Sequence, residues 1–124
     1  MNNASAGPFP VVMRGEIYWI DWNPARGSEQ AGRRPALIVQ TDAANTNPRY
    51  PNTIVAAVST SGRAIGTHVP LTPSAQNGLP SRSFVKCEQL ITISKSRLQA
   101  RLGQIDPVEL AQIDTALRQS LDLP

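Results

Sequence analysis

A small, strongly bent β-sheet or barrel of five to seven strands, closed by one C-terminal helix, is the fold this sequence predicts. Three observations carry that expectation. Short apolar, β-branched runs recur between turns containing proline and glycine. Helical punctuation appears clearly at one place only, from Asp106 onward. The composition, with 11 prolines, 8 glycines and 17% charged residues in 124, suits strands and turns better than a helical bundle. A chain of this length fits one domain with a single modest core.

Residues 1–12 are small, polar and proline-containing and read as a flexible tail, leaving 13–124 as the single domain. Met13 directly precedes the first strand, so translation starting there is an expectation. Gly15 to Trp22 reads as a strand that is largely apolar on both faces. Asn23-Pro24 breaks it, and the glycine-bounded loop Gly27-Ser28-Glu29-Gln30-Ala31-Gly32 follows. Arg34 to Gln40 is the second strand, centred on Leu37-Ile38-Val39. Thr41 to Asn52 is a polar loop with Pro48 and Pro51, expected to be mobile. Thr53 to Ser59 is a third strand that ends in the hydroxyl-rich Ser59-Thr60-Ser61-Gly62.

His68-Val69-Pro70-Leu71 is a short edge strand, because its proline cannot donate to a ladder. Pro73 to Pro80 is a loop. Ser83–Lys86 and Gln89–Ile93 are two short strands or one bent one, Ser94–Leu98 is a turn, and Gln99–Ile105 is a closing strand. The helix runs over about 107–121. Asp106 is its N-cap, Pro107 suits the first position, and Glu109 completes a capping box. Leu110, Ile113, Leu117 and Leu121 form one apolar stripe that faces a core.

Net charge is +3 and unevenly spread. Residues 59–105 hold Arg63, Arg82, Lys86, Lys95, Arg97 and Arg101 against Glu88 alone, a balance of +5, whereas residues 106–124 carry −3. Ten of the twelve basic residues are arginine, whose planar fork matches a phosphate through two parallel hydrogen bonds. A basic middle segment points to a polyanion or an acidic protein partner. No apolar run approaches the ~20 residues that span a membrane, and the N-terminus lacks the basic and apolar regions of a signal peptide. The single Cys87 excludes an internal disulfide, which suits the cytoplasm. Its apolar neighbours make it a buried core residue rather than a catalytic thiol.

One histidine and one cysteine do not make a zinc-type ligand set, so no metal or other cofactor is expected. There is no phosphate-binding loop with its lysine and no dinucleotide fingerprint. A Ser-His-Asp site would have to use His68, which reads instead as a surface or half-buried strand residue. What remains is Arg33 and Arg34 at the root of one strand and Ser59 and Thr60 at the end of another. If those strands are neighbours, the four groups meet. Such a set can bind a phosphodiester and stabilise a five-coordinate phosphorus. RNA supplies its own nucleophile, the 2′-OH, so no covalent side chain is needed. Glu29 is the carboxylate that by residue type could act as general base.

Gly15-Glu16-Ile17-Tyr18-Trp19-Ile20-Asp21, then Pro24, then Gly27-Ser28-Glu29-Gln30-Ala31-Gly32-Arg33-Arg34-Pro35-Ala36-Leu37-Ile38-Val39, resembles the MazF/PemK (Kid) toxin family. The likeness continues through Ile54–Ser59, Val85–Ile93 and the C-terminal helix. It implies an SH3-like barrel with a C-terminal helix and a homodimer. It also implies a metal-independent endoribonuclease that cuts single-stranded RNA at a short sequence, through 2′-OH attack that leaves 2′,3′-cyclic phosphate and 5′-OH ends. The family's catalytic arginine matches Arg34 and its catalytic hydroxyl matches Ser59. Glu29, Gln30 and Gln89 match positions near the RNA groove, and Arg33, Thr60 and Lys86 are expected to bind RNA beside them. The implied partner is a cognate acidic antitoxin. Two other readings are weighed. A gyrase-poisoning toxin of the CcdB kind shares the barrel, but uses an aromatic C-terminus that Leu121-Asp122-Leu123-Pro124 lacks. A non-enzymatic SH3-like binding module needs an aromatic-lined groove, and aromatics are only 5% here.

Overall fold

The structure is a computed structural model that describes residues 7–22 and 32–124. Among these, six strands form one sheet: β1 (Glu16–Asp21), β2 (Arg33–Ile38), β3 (Asn52–Ser59), β4 (His68–Leu71), β5 (Ser83–Ser94) and β6 (Arg101–Gln104). Their order across the sheet is β4-β5-β3-β2-β1-β6, and every neighbouring pair is antiparallel. A one-turn helix, α1 (Asp42–Asn45), lies between β2 and β3. A 3-10 turn at Lys95–Arg97 follows β5, and α2 (Pro107–Ser120) ends the chain. The short proline-containing strand β4 lies at one edge of the sheet, as the sequence predicts.

Both faces of the central strands are covered, which explains why β1 reads as apolar on both sides. On one face Ile17, Leu37, Ala56, Val58, Val85 and Cys87 pack with Ile113 and Ala116 of α2. On the other, Ile20, Ala36, Ile38, Val55 and Ile93 pack with Val12. The helix sits against β4 and β5. Its capping box is complete: the Glu109 N–H donates to Asp106 Oδ1 at 2.7 Å and the Asp106 N–H donates to Glu109 Oε1 at 3.0 Å. Leu110, Ile113 and Leu117 face the core as expected, but Leu121 does not. It is the C-cap residue and more than half exposed, because the helix turns off at Ser120. Ala116 fills the inner stripe in its place.

Residues 83–94 form one bent strand, not two. The β3–β5 register jumps from Ala56↔Leu90 to Ala57↔Lys86, so Cys87, Glu88 and Gln89 bulge out of that ladder. A second register shift occurs in β1 at Ile17/Tyr18 against β6. These bulges curl the sheet. The Pro73–Pro80 loop backs onto β6, where the Gln104 N–H donates to the Gln76 carbonyl at 3.0 Å. Gly78 takes φ +66° there, and a Cβ would strike the Leu102 carbonyl, so only glycine fits.

Two further expectations need correction. The tail does not extend to residue 12. The Phe9 N–H donates to the Pro48 carbonyl at 3.0 Å, the Val12 N–H donates to the Asn45 carbonyl at 3.3 Å, and Val12 is buried. The earlier part of the expected tail, residues 1–6, lies outside the described residues. The Thr41–Asn52 segment is not a mobile loop either. It contains α1 and a buried polar knot in which Asn45 Oδ1 accepts from Gln40 Nε2 at 3.0 Å and from Thr53 Oγ1 at 2.9 Å. Lys95, fully buried, reaches in and donates to the carbonyls of Ala44 at 3.0 Å and Asn47 at 2.9 Å.

Candidate active site

β2 begins at its two arginines. β1 pairs Asp21 with Arg33, Ile20 with Arg34 and Trp19 with Pro35. On its other side β2 pairs Ala36 with Ala57 of β3. Extended two residues toward the strand ends, that register sets Arg34 opposite Ser59. The two side chains line one cleft of about 390 Å³ together with Thr60, Ser61, Ser81 and Ser83. Trp19, Pro35, Val58 and Pro80 supply its apolar wall. One arginine and five hydroxyl-bearing residues therefore line a common space.

Arg34 is exposed, and no described side chain holds it by a hydrogen bond or ion pair. Its fork is open to a ligand, while Pro35 and the buried Ala36-Leu37-Ile38 behind it fix the backbone that carries it. Ser59 is held by its own turn. Ser59 Oγ accepts from the Ser61 N–H at 3.2 Å and lies 3.1 Å from Ser61 Oγ. That turn uses the Ser59 lone pairs and leaves a hydroxyl proton of the pair to donate into the cleft.

Adjacent in sequence, Arg33 and Arg34 go to different places. Arg33 is not part of the cleft lining. Its Nε donates to Gln99 Oε1 at 2.8 Å, and its guanidinium carbon lies 4.5 Å from the centre of the Trp19 ring. Lys86 and Gln89 also stand outside the lining. Lys86 lies on β5 opposite Ala57 and His68, and Gln89 lies in the β5 bulge. Glu29 and Gln30 lie outside the described residues.

His68 has a structural environment. Its Nδ1 accepts from the Arg63 N–H at 3.0 Å, which places the ring proton on Nε2, and that nitrogen lies 2.8 Å from Glu88 Oε2. Burial raises the Glu88 carboxyl, but hydrogen bonds from His68 and its own backbone, with attraction to His68 and Lys86, outweigh it and hold the group below the usual carboxylate range. Cys87 is fully buried, and burial, followed by the nearby Glu88 charge, pushes its thiol up to about 12. It is a core residue, not a nucleophile. Among the described residues, no group of three or more His, Cys, Asp or Glu is gathered where it could hold a metal ion.

Trp19, Ser61, Ser81 and Ser83 are the lining residues that sequence reasoning did not single out. Ser81 and Ser83 reach the cleft because β5 pairs with β3 and sets Phe84 opposite Ser59. That pairing skips β4, and no local signal in the sequence reports it.

The curled antiparallel sheet thus brings an arginine and hydroxyl-bearing residues to the adjoining ends of two central strands, a class of groups that can hydrogen-bond a phosphodiester. Comparison with known proteins narrows the class. The sequence model described as "PemK-like, MazF-like toxin of type II toxin-antitoxin system" matches residues 13–121, and the chain belongs to that family. It is similar to Endoribonuclease MazF6 of Mycobacterium tuberculosis, with 36% identity over 116 residues that cover 91% of this chain and 99% of the relative. Endoribonuclease EndoA of Bacillus subtilis is also 36% identical over 116 residues, covering 91% and 97%. Among solved structures, a mycobacterial endoribonuclease in complex with its cognate antitoxin superposes with a TM-score of 0.76 at 29% identity, covering 92% of this chain and 98% of that one. MazF from Deinococcus radiodurans, at 24% identity with a TM-score of 0.74 over 92% of this chain and 99% of that one, shares the fold.

Proposed function

We propose that this chain is a toxin endoribonuclease that cuts single-stranded RNA at the Arg34–Ser59 cleft. The carrying observation is that these two residues, twenty-five apart in sequence, line one cleft at the adjoining ends of β2 and β3. In the proposed reaction a ribose 2′-oxygen attacks the adjacent phosphorus. The new 2′-O–P bond forms as the P–O5′ bond breaks, giving a 2′,3′-cyclic phosphate and a 5′-OH. The 2′-OH proton goes to a base, and the leaving O5′ takes a proton from water, so the overall proton count is unchanged. Arg34 acts electrostatically, its fork holding the non-bridging oxygens as negative charge builds on them. The hydroxyl of Ser59 donates to the same group. Glu29 is our candidate for the base, and Gln30, Arg33, Thr60, Lys86 and Gln89 for RNA contacts away from the reacting phosphorus.

The partner we propose is an acidic antitoxin segment that occupies the same cleft. The +5 balance of residues 59–105 and the antitoxin complex of the similar mycobacterial endoribonuclease support it. We infer a homodimer acting in the cytoplasm. Among the described residues no helix is long and apolar enough to cross a membrane. Family membership favours neither gyrase poisoning nor peptide binding. The test is incubation of the purified protein with mixed single-stranded RNA in EDTA. Fragments ending in cyclic phosphate are expected, and intact RNA would refute the proposal.

A further inference from the structure

Trp19 has no part in the chemistry above, yet it forms part of the cleft wall. It lies on β1 opposite Pro35, the residue that follows Arg34, and is half-buried. Its position is fixed from two directions. The Trp19 N–H donates to the Ala100 carbonyl at 3.0 Å, and the Gln99 N–H donates to the Trp19 carbonyl at 2.8 Å. The Arg33 guanidinium covers the ring at 4.5 Å and is itself tied to Gln99 Oε1 at 2.8 Å. Burial in a core does not account for this arrangement, since Arg33 and Gln99 are both exposed. A fixed aromatic ring beside an arginine with an open fork is the arrangement that receives an unpaired base next to its phosphate.

We propose that Trp19 is a stacking platform for the base of a nucleotide flanking the phosphate at Arg34, with Arg33 and Gln99 as positioning residues that hold its ring. The proposal rests on the RNA-cleaving reading of the same cleft. Arg33 on the indole and the base on its remaining surface make a layered stack of guanidinium, indole and base. Every base offers a π-face, so the platform contributes affinity and leaves base identity to other contacts.

The chain has two tryptophans, and Trp22 packs in the opposite core. A Trp22→Phe background therefore leaves Trp19 as the only indole reporter. The probe is a single-stranded RNA with 2′-O-methyl at every ribose, which lacks the nucleophile. It is compared with an abasic chain of the same length and charge. Quenching of Trp19 by the intact chain and not by the abasic one is expected. Trp19→Leu should raise the Kd of the intact chain about 5- to 100-fold, and Trp19→Phe should recover most of it. The abasic Kd should stay unchanged in both. Arg33→Ala should lower the ratio of abasic to intact Kd, a change that loss of a charge alone does not produce.

Equal quenching by both chains would overturn the platform. If Trp19→Leu does not fold, by circular dichroism, the quenching comparison still decides. RNA that is cut by the wild-type protein without base-dependent quenching would overturn the platform and leave the enzyme standing. Quenching by RNA that the wild-type protein never cuts would do the reverse.

Discussion

Arg34 owes its position to what surrounds it in the chain. Pro35 restricts the backbone on one side and three fully buried residues anchor it on the other, while the side chain itself stays exposed. Its replacement therefore need not disturb packing. Ser59 sits in a comparable setting, at the end of a strand whose preceding residues are buried. Ser59→Ala should slow RNA cleavage without removing RNA binding, as single-turnover rates and filter binding would show; unchanged turnover would exclude its hydroxyl from the reaction. The Arg34–Ser59 pair was legible in the sequence because β2 and β3 are consecutive strands that pair directly. Arg33 was not separable from Arg34 by spacing. What separates them is the Trp19 ring and Gln99, a contact spanning 66 residues. Ser81 and Ser83 were hidden because β5 reaches the cleft by pairing with β3 across the intervening β4, a pairing between strands that are not consecutive in the chain.

At the scale of elements, each strand position and the helix with its capping box were readable, because period and punctuation are local signals. Apart from Leu121 at the helix end, the misreadings fell where a distant residue imposes order on a polar segment. Thr41–Asn52 has the composition of a loose loop, and Lys95 makes it a fixed one by satisfying two carbonyls from about fifty residues away. Burial lowers the Lys95 ammonium below its ordinary value, and no carboxylate forms an ion pair with it among the described residues. Lys95→Ala removes both hydrogen bonds and leaves a cavity. Global stability should fall by about 2 kcal/mol or more in denaturant unfolding. Local protection of the α1 amides in hydrogen exchange should fall with it. Unchanged protection would mean that Asn45 and its partners hold the segment alone. The same segment holds Phe9 and Val12, which is why a stretch with the composition of a tail is docked.

For the molecule as a whole, the alkaline limb of stability has identifiable sources. Burial, with a hydrogen bond to Glu16 and the Glu16 charge, pushes the Tyr18 phenol from 10.0 to about 12, against the opposing charge of Arg101. A raised pKa in the folded state means that the unfolded chain loses this proton first. The contribution is complete below pH 10.0 and is lost as pH rises toward 12. Cys87 acts in the same direction from 9.0 upward. Between pH 10.0 and 12, unfolding free energy should therefore fall less steeply in Tyr18→Phe than in the wild-type protein. Parallel slopes would show that Tyr18 does not titrate differently on folding. The sheet buries Cys87 on one face and packs Tyr18 on the other, and it delivers Arg34 and Ser59 to its rim, so both cores and the cleft are products of one curl.

The measurement that bears most directly on the Arg34–Ser59 cleft is cleavage of one defined single-stranded RNA in EDTA by wild-type and Arg34→Ala protein, with the 3′ ends of the products identified. The wild-type protein should give 2′,3′-cyclic phosphate ends. Arg34→Ala, with an unchanged circular dichroism spectrum, should lose at least about 100-fold in rate, as expected for removal of a group that stabilises developing charge. Undiminished cleavage by Arg34→Ala would contradict the assignment.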